Sequence, residues 1–205
     1  MFLNREEAGI RLALLLAREK LKNAIIVAIP RGGVVVGKTV SMILKIPLRV
    51  LIVKKISAPQ NPELAIGATG SDGVVFWDEK LISILGVLEE EKSEALDTAI
   101  RTARERRKGL GIKTPKVSGK TTIVIDDGVA TGATAINASM ILKKLGSKSS
   151  ILATPVISRR TKRELGRYFD KIISVETPQS FQAVGEFYKE FPQVEDEEVK
   201  AILNI

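Results

Sequence analysis

The sequence predicts a three-layer α/β/α fold built on a mostly parallel sheet, with a helical insert at 79–110 and a small helical tail at 178–205. Two observations carry the prediction. Short β-branched apolar runs alternate with amphipathic segments along the chain, the pattern of strand–helix–strand units joined by right-handed crossovers. The run Thr122-Ile123-Val124-Ile125 also lacks the polar alternation of a half-exposed strand, so it reads as a central strand covered on both faces.

Taken in order, residues 5 to 21 form an amphipathic opening helix with Ile10, Leu14 and Leu21 on one face and Leu15 and Ala17 nearby. Ala24 to Ile29 is a first buried strand. Pro30-Arg31-Gly32-Gly33 breaks the periodicity, and Val34 to Leu44 reads as a helix packed back on the sheet. Val50 to Val53 is the second strand, ending at Lys54-Lys55. Leu64 to Thr69 and Val74 to Trp77, around Ser71-Asp72-Gly73, form a β-hairpin. Residues 79 to 108 are two helices broken near Gly86; Glu89, Glu90 and Glu91 open the second, and Arg101 to Lys108 close it, as the helix dipole favours. A helix then runs to about Leu145, followed by a strand Ser149 to Ile157, a helix Arg159 to Leu165 and a strand Lys171 to Val175. Two short helices, Phe181 to Tyr188 and Asp196 to Leu203, complete the tail.

With 205 residues, 44% of them hydrophobic, the chain can bury one substantial core, and a single domain over 1–205 is expected. Leu12 to Ala17 is too short to span a bilayer, and the charges before it do not make a secretory leader, so a cytoplasmic protein is expected. The absence of Cys removes disulfides and thiol nucleophiles, and the absence of His removes the usual general base and zinc ligand. A metal would have to be a hard cation held by oxygen. The net charge of +8 suits a polyphosphate and equally suits nucleic acid.

The segment from Thr122 to Thr134 carries the most chemistry. Ala130, Thr131, Gly132, Ala133 and Thr134 let successive backbone N–H groups approach an anion at the positive end of the helix that follows. Asp126 and Asp127 sit beside this loop, where they can accept hydrogen bonds from sugar hydroxyls or hold a hydrated cation. One ligand carrying phosphate and ribose satisfies both. Pro30-Arg31-Gly32-Gly33 ends the first strand and so reaches the same carboxyl edge, as does Lys54-Lys55 in this reading.

These motifs, in this order, resemble the type I phosphoribosyltransferases over nearly the whole chain. The resemblance implies their core parallel sheet with a peripheral antiparallel strand, a flexible loop over the site and a hood that selects the acceptor; the hairpin, the helical insert and the tail are the hood candidates. It implies transfer of a 5-phosphoribosyl group from Mg-phosphoribosyl pyrophosphate (PRPP) to a nitrogen acceptor such as a nucleobase, with Mg²⁺ held by PRPP and water rather than by the protein. In that arrangement the 5-phosphate rests on Ala130 to Thr134, the ribose on Asp126 and Asp127, and the pyrophosphate on Arg31, Gly32 and Gly33 with Lys54 or Lys55; the family counterpart of Arg31-Gly32-Gly33 is a pyrophosphate loop in which a non-proline cis or strained peptide often exposes N–H groups. Asp127 is the candidate acid or base. The stretch Lys55 to Ala68 resembles a subgroup whose acceptor is undefined, and a homo-oligomer is expected.

A second reading is a PRPP-sensing regulator of the same fold that binds nucleic acid through its positive surface. The basic cluster Arg101 to Lys120 fits either that role or a solvated helix end; it lacks interleaved aromatics, which are only 4% of the chain. Phe76 and Trp77 read as core rather than as stacking platforms. A kinase or phosphatase of another α/β fold is disfavoured, because no Gly-Lys-Ser/Thr phosphate loop is present.

Overall fold

A computed structural model describes residues 1–205 apart from the side chain of Glu63. Its centre is a parallel sheet of β1 (Ala24–Ala28), β2 (Leu48–Val50), β6 (Thr121–Ile125), β7 (Ser149–Val156) and β8 (Lys171–Glu176), in the order β2-β1-β6-β7-β8. The register pairs Ile26 with Ile123 and Val124 with Leu152. Alternate residues therefore face opposite layers. Ile25, Val27, Val124 and Leu152 pack with Ile136, Ile141 and Leu142 of α5 (Ala133–Lys144). Ile26, Ile123, Ile125 and Ile151 pack with Leu12 and Leu16 of α1 (Arg5–Leu16) and with Val36 and Val40 of α2 (Gly32–Leu44). Each fully buried side chain of this kind contributes about 1.5–3 kcal/mol. The apolar run on both faces of β6 is thus accounted for by a helical layer on each side.

A separate antiparallel sheet, β3-β4-β5, stands beside the first, formed by β3 (Val53–Ala58), β4 (Asn61–Gly70) and β5 (Val75–Trp77). Between β5 and β6 come α3 (Glu79–Leu85) and α4 (Glu89–Gly109). Asp78 caps α3 through a 3.0 Å hydrogen bond from Leu81 N–H, and Gly86 ends it in the left-handed region. Ala95, Ala99 and Ala103 recur every four residues on α4; Ala95 and Ala99 pack in the cluster of the small sheet, and Ala103 in the one with Val34, Val35 and Val50. The chain closes with α6 (Arg159–Leu165), a 3₁₀ turn at Val184–Phe187 and α7 (Asp196–Leu203).

Three expectations are corrected. The opening helix stops at Leu16, not at residue 21, and its buried face is Arg5, Ala8, Gly9, Leu12, Ala13 and Leu16. Ile10 and Leu14, expected inside, are exposed. The buried stripe carries a cation and small residues, so counting large apolar side chains selected the wrong face. The second parallel strand is Leu48–Val50, earlier than expected, and Lys54-Lys55 do not end it. They begin β3, paired with Thr69 and Ala68 of β4. An apolar run shared by one strand's end and the next strand's start has no internal signal dividing it. Finally, the tail segment expected as a helix from 181 to 188 contains only the 3₁₀ turn. Tyr188 bridges in parallel to Phe2, and the ring of Phe181 packs on Phe187 and that of Tyr188 on Phe191 along an otherwise irregular path.

Candidate active site

At the carboxyl edge of the parallel sheet, β1 and β6 are neighbours, so the segments that leave them emerge side by side. After β1 the Pro30–Arg31 peptide is cis and the chain turns directly into α2. After β6 come Asp126, Asp127 and a loop that ends where Gly132, with φ of 83°, hands over to α5. The two segments are in close contact. A Cβ on Gly33 would stand 2.8 Å from the Ile125 carbonyl oxygen and 2.9 Å from Asp126 Cα; one on Gly32 would collide with the Asp127 carboxylate. Glycine at both positions is therefore demanded by the approach of the acid pair. The 128–134 loop is pinned from behind: Val129 bridges to Ile157, and the Thr161 hydroxyl donates to the Ala130 carbonyl at 2.6 Å.

These segments enclose a cavity of about 400 Å³. Of the residues expected from sequence, Arg31, Gly32, Lys54, Lys55, Asp126, Asp127, Ala130, Thr131, Gly132 and Thr134 line it. Gly33 and Ala133 are buried and do not line it. Lys54 and Lys55 reach the cavity from the second sheet, although their strand was misread.

Arg5, Val184 and Phe191 also line the cavity, and no motif pointed to them. Arg5, 7% exposed, donates from Nε to Asp127 Oδ2 at 2.8 Å and from a terminal nitrogen to the Pro192 carbonyl at 2.7 Å, while its guanidinium lies 3.7 Å from the centre of the Phe191 ring. The Tyr188 hydroxyl donates to the Asp127 carbonyl at 2.6 Å. Arg31 pairs with Glu195 at 2.8 Å. The one sequence signal for Arg5 was its place on a helical face with Ala8, Gly9, Leu12 and Leu16, where a cation needs a buried partner.

The two carboxyls stand in different environments. Burial pushes Asp126 well above the usual carboxylate range, and the neighbouring charge of Asp127 pushes it further; a hydrogen bond from the Asp127 amide to Oδ1 and the charge of Lys55 act the other way. Asp127 instead has an arginine as its partner. Burial, reinforced by Asp127, also raises the Tyr188 phenol, so that it remains a donor. Chemically, the cavity offers two adjacent carboxyls for a diol, a loop of backbone N–H groups and hydroxyls for a phosphate, and a cationic rim of Arg31, Lys54 and Lys55 for further anionic oxygens.

Residues 3–189 match the family model of the phosphoribosyl transferase domain. The chain belongs to this family. Phosphoribosyl transferase relatives from two strains of Mycobacterium tuberculosis, each bearing the name "putative phosphoribosyl transferase", are 34% identical over 209 residues, covering 100% of this chain and 46% of theirs. The chain thus spans about half the length of these curated relatives. A crystal structure from Thermus thermophilus superposes with a TM-score of 0.82 at 32% identity, over 98% of this chain and 97% of that one. The purine phosphoribosyltransferase of Pyrococcus horikoshii shares the fold at a TM-score of 0.51 and 19% identity, over 95% and 97% of the two chains.

Three arginines of the basic cluster, Arg104, Arg106 and Arg107, serve the architecture. Arg104 and Arg107 hydrogen bond to Ser71 at the hairpin tip, Arg107 also holds Ile112 and Thr114, and Arg106 pairs with Asp196 of α7. Phe76 and Trp77 pack against core clusters, as expected. Among the described residues no helix is long and apolar enough to cross a membrane.

Proposed function

We propose that this phosphoribosyltransferase moves a 5-phosphoribosyl group from PRPP to a nitrogen acceptor of the nucleobase class. The C1–O bond to pyrophosphate breaks, the C1–N bond forms, pyrophosphate leaves with the bonding electron pair, and the acceptor nitrogen gives up its proton. The observation that carries this reading is the convergence on one cavity of the 130–134 loop, the acid pair, the Arg31–Gly33 turn and two lysines.

Each group has a task that fits its place. Thr131 and Thr134 with the loop amides hold the 5-phosphate, and Asp126 and Asp127 accept from the ribose hydroxyls. Arg31, Lys54 and Lys55 stabilise the charge that grows on the leaving pyrophosphate while the carboxylate of Asp127 offsets the positive charge growing at C1. Asp127 is also the group positioned to take the acceptor's proton. The donor set suits Mg²⁺: it offers only oxygen, and among the described residues no three carboxylates gather to cage a metal. The cation would be held by PRPP oxygens and water, within reach of Asp126 and Asp127, where it neutralises pyrophosphate charge.

The deciding experiment incubates the protein with Mg²⁺, PRPP and a pool of purine and pyrimidine bases, reading pyrophosphate and nucleotides by mass spectrometry. Acceptor-dependent nucleotide is the expected result. PRPP binding without any product would point instead to a PRPP-sensing protein, and absence of PRPP binding would refute the site.

A further inference from the structure

Arg5 is the most deeply buried charged side chain at the site, and its three contacts lie far away in sequence. Asp127 is 122 residues distant and Pro192 is 187, while the guanidinium face is covered by the Phe191 ring. A cation placed so deep is costly unless every donor geometry is met. Here Nε meets a carboxylate, a terminal nitrogen meets a carbonyl, and an aromatic ring takes the face. Phe191 also packs against the ring of Tyr188, with ring centres 4.8 Å apart. Tyr188 in turn donates to the Asp127 carbonyl. Asp127 is therefore gripped twice, by its side chain and by its backbone, through one closed chain of contacts.

The glycine of the opposite turn belongs to the same assembly. A Cβ on Gly32 would overlap the Asp127 carboxylate and stand 2.7 Å from Arg5 Nε. The space left by the missing side chain is filled by the ion pair. The pair also fixes which oxygens are spoken for: Asp127 gives Oδ2 to Arg5, and Asp126 gives Oδ1 to the Asp127 amide. Asp127 Oδ1 and Asp126 Oδ2 are left as the two atoms for which the vicinal hydroxyls of a ribose would compete.

We propose that Arg5 is a positioning residue for ribose recognition: clamped by Phe191 and Pro192, it holds the Asp127 carboxylate so that one oxygen is presented to the sugar. This inference rests on the assignment of the ribose to the acid pair under the proposed function. It adds that the sugar site is completed by the first helix and the tail, outside every motif of the family resemblance.

The test uses two probes on the full chain, ribose 5-phosphate and inorganic pyrophosphate, titrated by calorimetry. Arg5→Met keeps an unbranched side chain against Phe191 but removes the ion pair. It is expected to weaken ribose 5-phosphate binding about threefold to tenfold and to leave pyrophosphate binding within about twofold. Arg5→Lys keeps the charge without the planar fork and should recover part of the loss. Asp127→Asn should weaken ribose 5-phosphate about tenfold, and the double variant, free of any unpaired charge, should bind as Asp127→Asn does rather than showing the product of the two losses. Multiplying losses, or unchanged ribose 5-phosphate affinity in Arg5→Met despite a lowered Tm, would make Arg5 a helix anchor only and overturn the inference. Should the unmodified protein bind pyrophosphate but not ribose 5-phosphate, the ribose assignment itself fails before any variant is made.

Discussion

One side of the cavity, Asp126 to Thr134, is a contiguous run set by a strand end, a turn and a helix start, whereas the side bearing Arg5, Val184 and Phe191 is assembled from the first helix and the tail. The first is held mainly through its backbone: the Thr161 hydroxyl on the Ala130 carbonyl, the bridge of Val129 to Ile157 and the handover at Gly132. The second is held by side chains, through an ion pair, a cation over a ring and stacked aromatics. Backbone-held loops tolerate exchange of neighbouring side chains; side-chain-held walls do not. The difference teaches where variation in this site should be sharply felt.

The largest effect is expected at the junction of the two sides. Asp127→Asn should lower turnover of PRPP with any accepted base by a hundredfold or more while PRPP affinity falls about tenfold, since it removes the charge proposed to offset that growing at C1. Steady-state kinetics set against calorimetric affinity check this, and equal losses in both would assign Asp127 to binding alone.

That junction also marks how far the sequence could be read. Asp126 to Thr134 was legible because its donors, acids and turn residues are adjacent and each has a local physical reason. Arg31 to Gly33 was legible for the same reason, and the parallel sheet followed from apolar runs of strand length. Arg5 was hidden because it sits on a helical face whose other members are small, and Tyr188 and Phe191 because nothing local ties an aromatic to a carboxylate 61 or more residues away. Lys54 and Lys55 were placed at the right cavity on the wrong strand, since the boundary between β2 and β3 falls inside one apolar stretch.

Gly32→Ala comes next in size. The added methyl must displace the Asp127 carboxylate or the Arg5 side chain, a strain of about 1–3 kcal/mol. The same change should weaken ribose 5-phosphate more than pyrophosphate, and thermal unfolding together with calorimetry reads both. Tyr188→Phe removes the donor to the Asp127 carbonyl and keeps the ring stack, so it should cost about 1 kcal/mol, or roughly 2–4 °C in Tm. A neutral result would transfer the grip on Asp127 to Arg5 alone.

Asp126 gives a pH-dependent contrast. Its folded pKa is raised above the unfolded value by burial and by Asp127, so the protonated folded form is favoured, and that stability is lost as pH rises through the folded pKa. Asp126→Asn should accordingly raise Tm at neutral and alkaline pH and do little near pH 3; a gain confined to acid pH would contradict the assignment. The smallest effect belongs to Glu195→Gln, which frees Arg31 from a largely solvated pair. It should shift stability by less than about 1 kcal/mol, with PRPP affinity unchanged or a few-fold tighter by calorimetry.

The tail touches the acid loop at one further point, where a Cβ on Gly128 would collide with the side chain of Val184. Space in the cavity beside Gly128 is therefore governed by a residue of the 3₁₀ turn, fifty-six positions further along the chain. Trimming position 184 would widen that space without touching the 130–134 loop proposed to hold phosphate. A loop built this way can stay constant while a short, aromatic-buttressed overhang is recut for a larger or smaller guest.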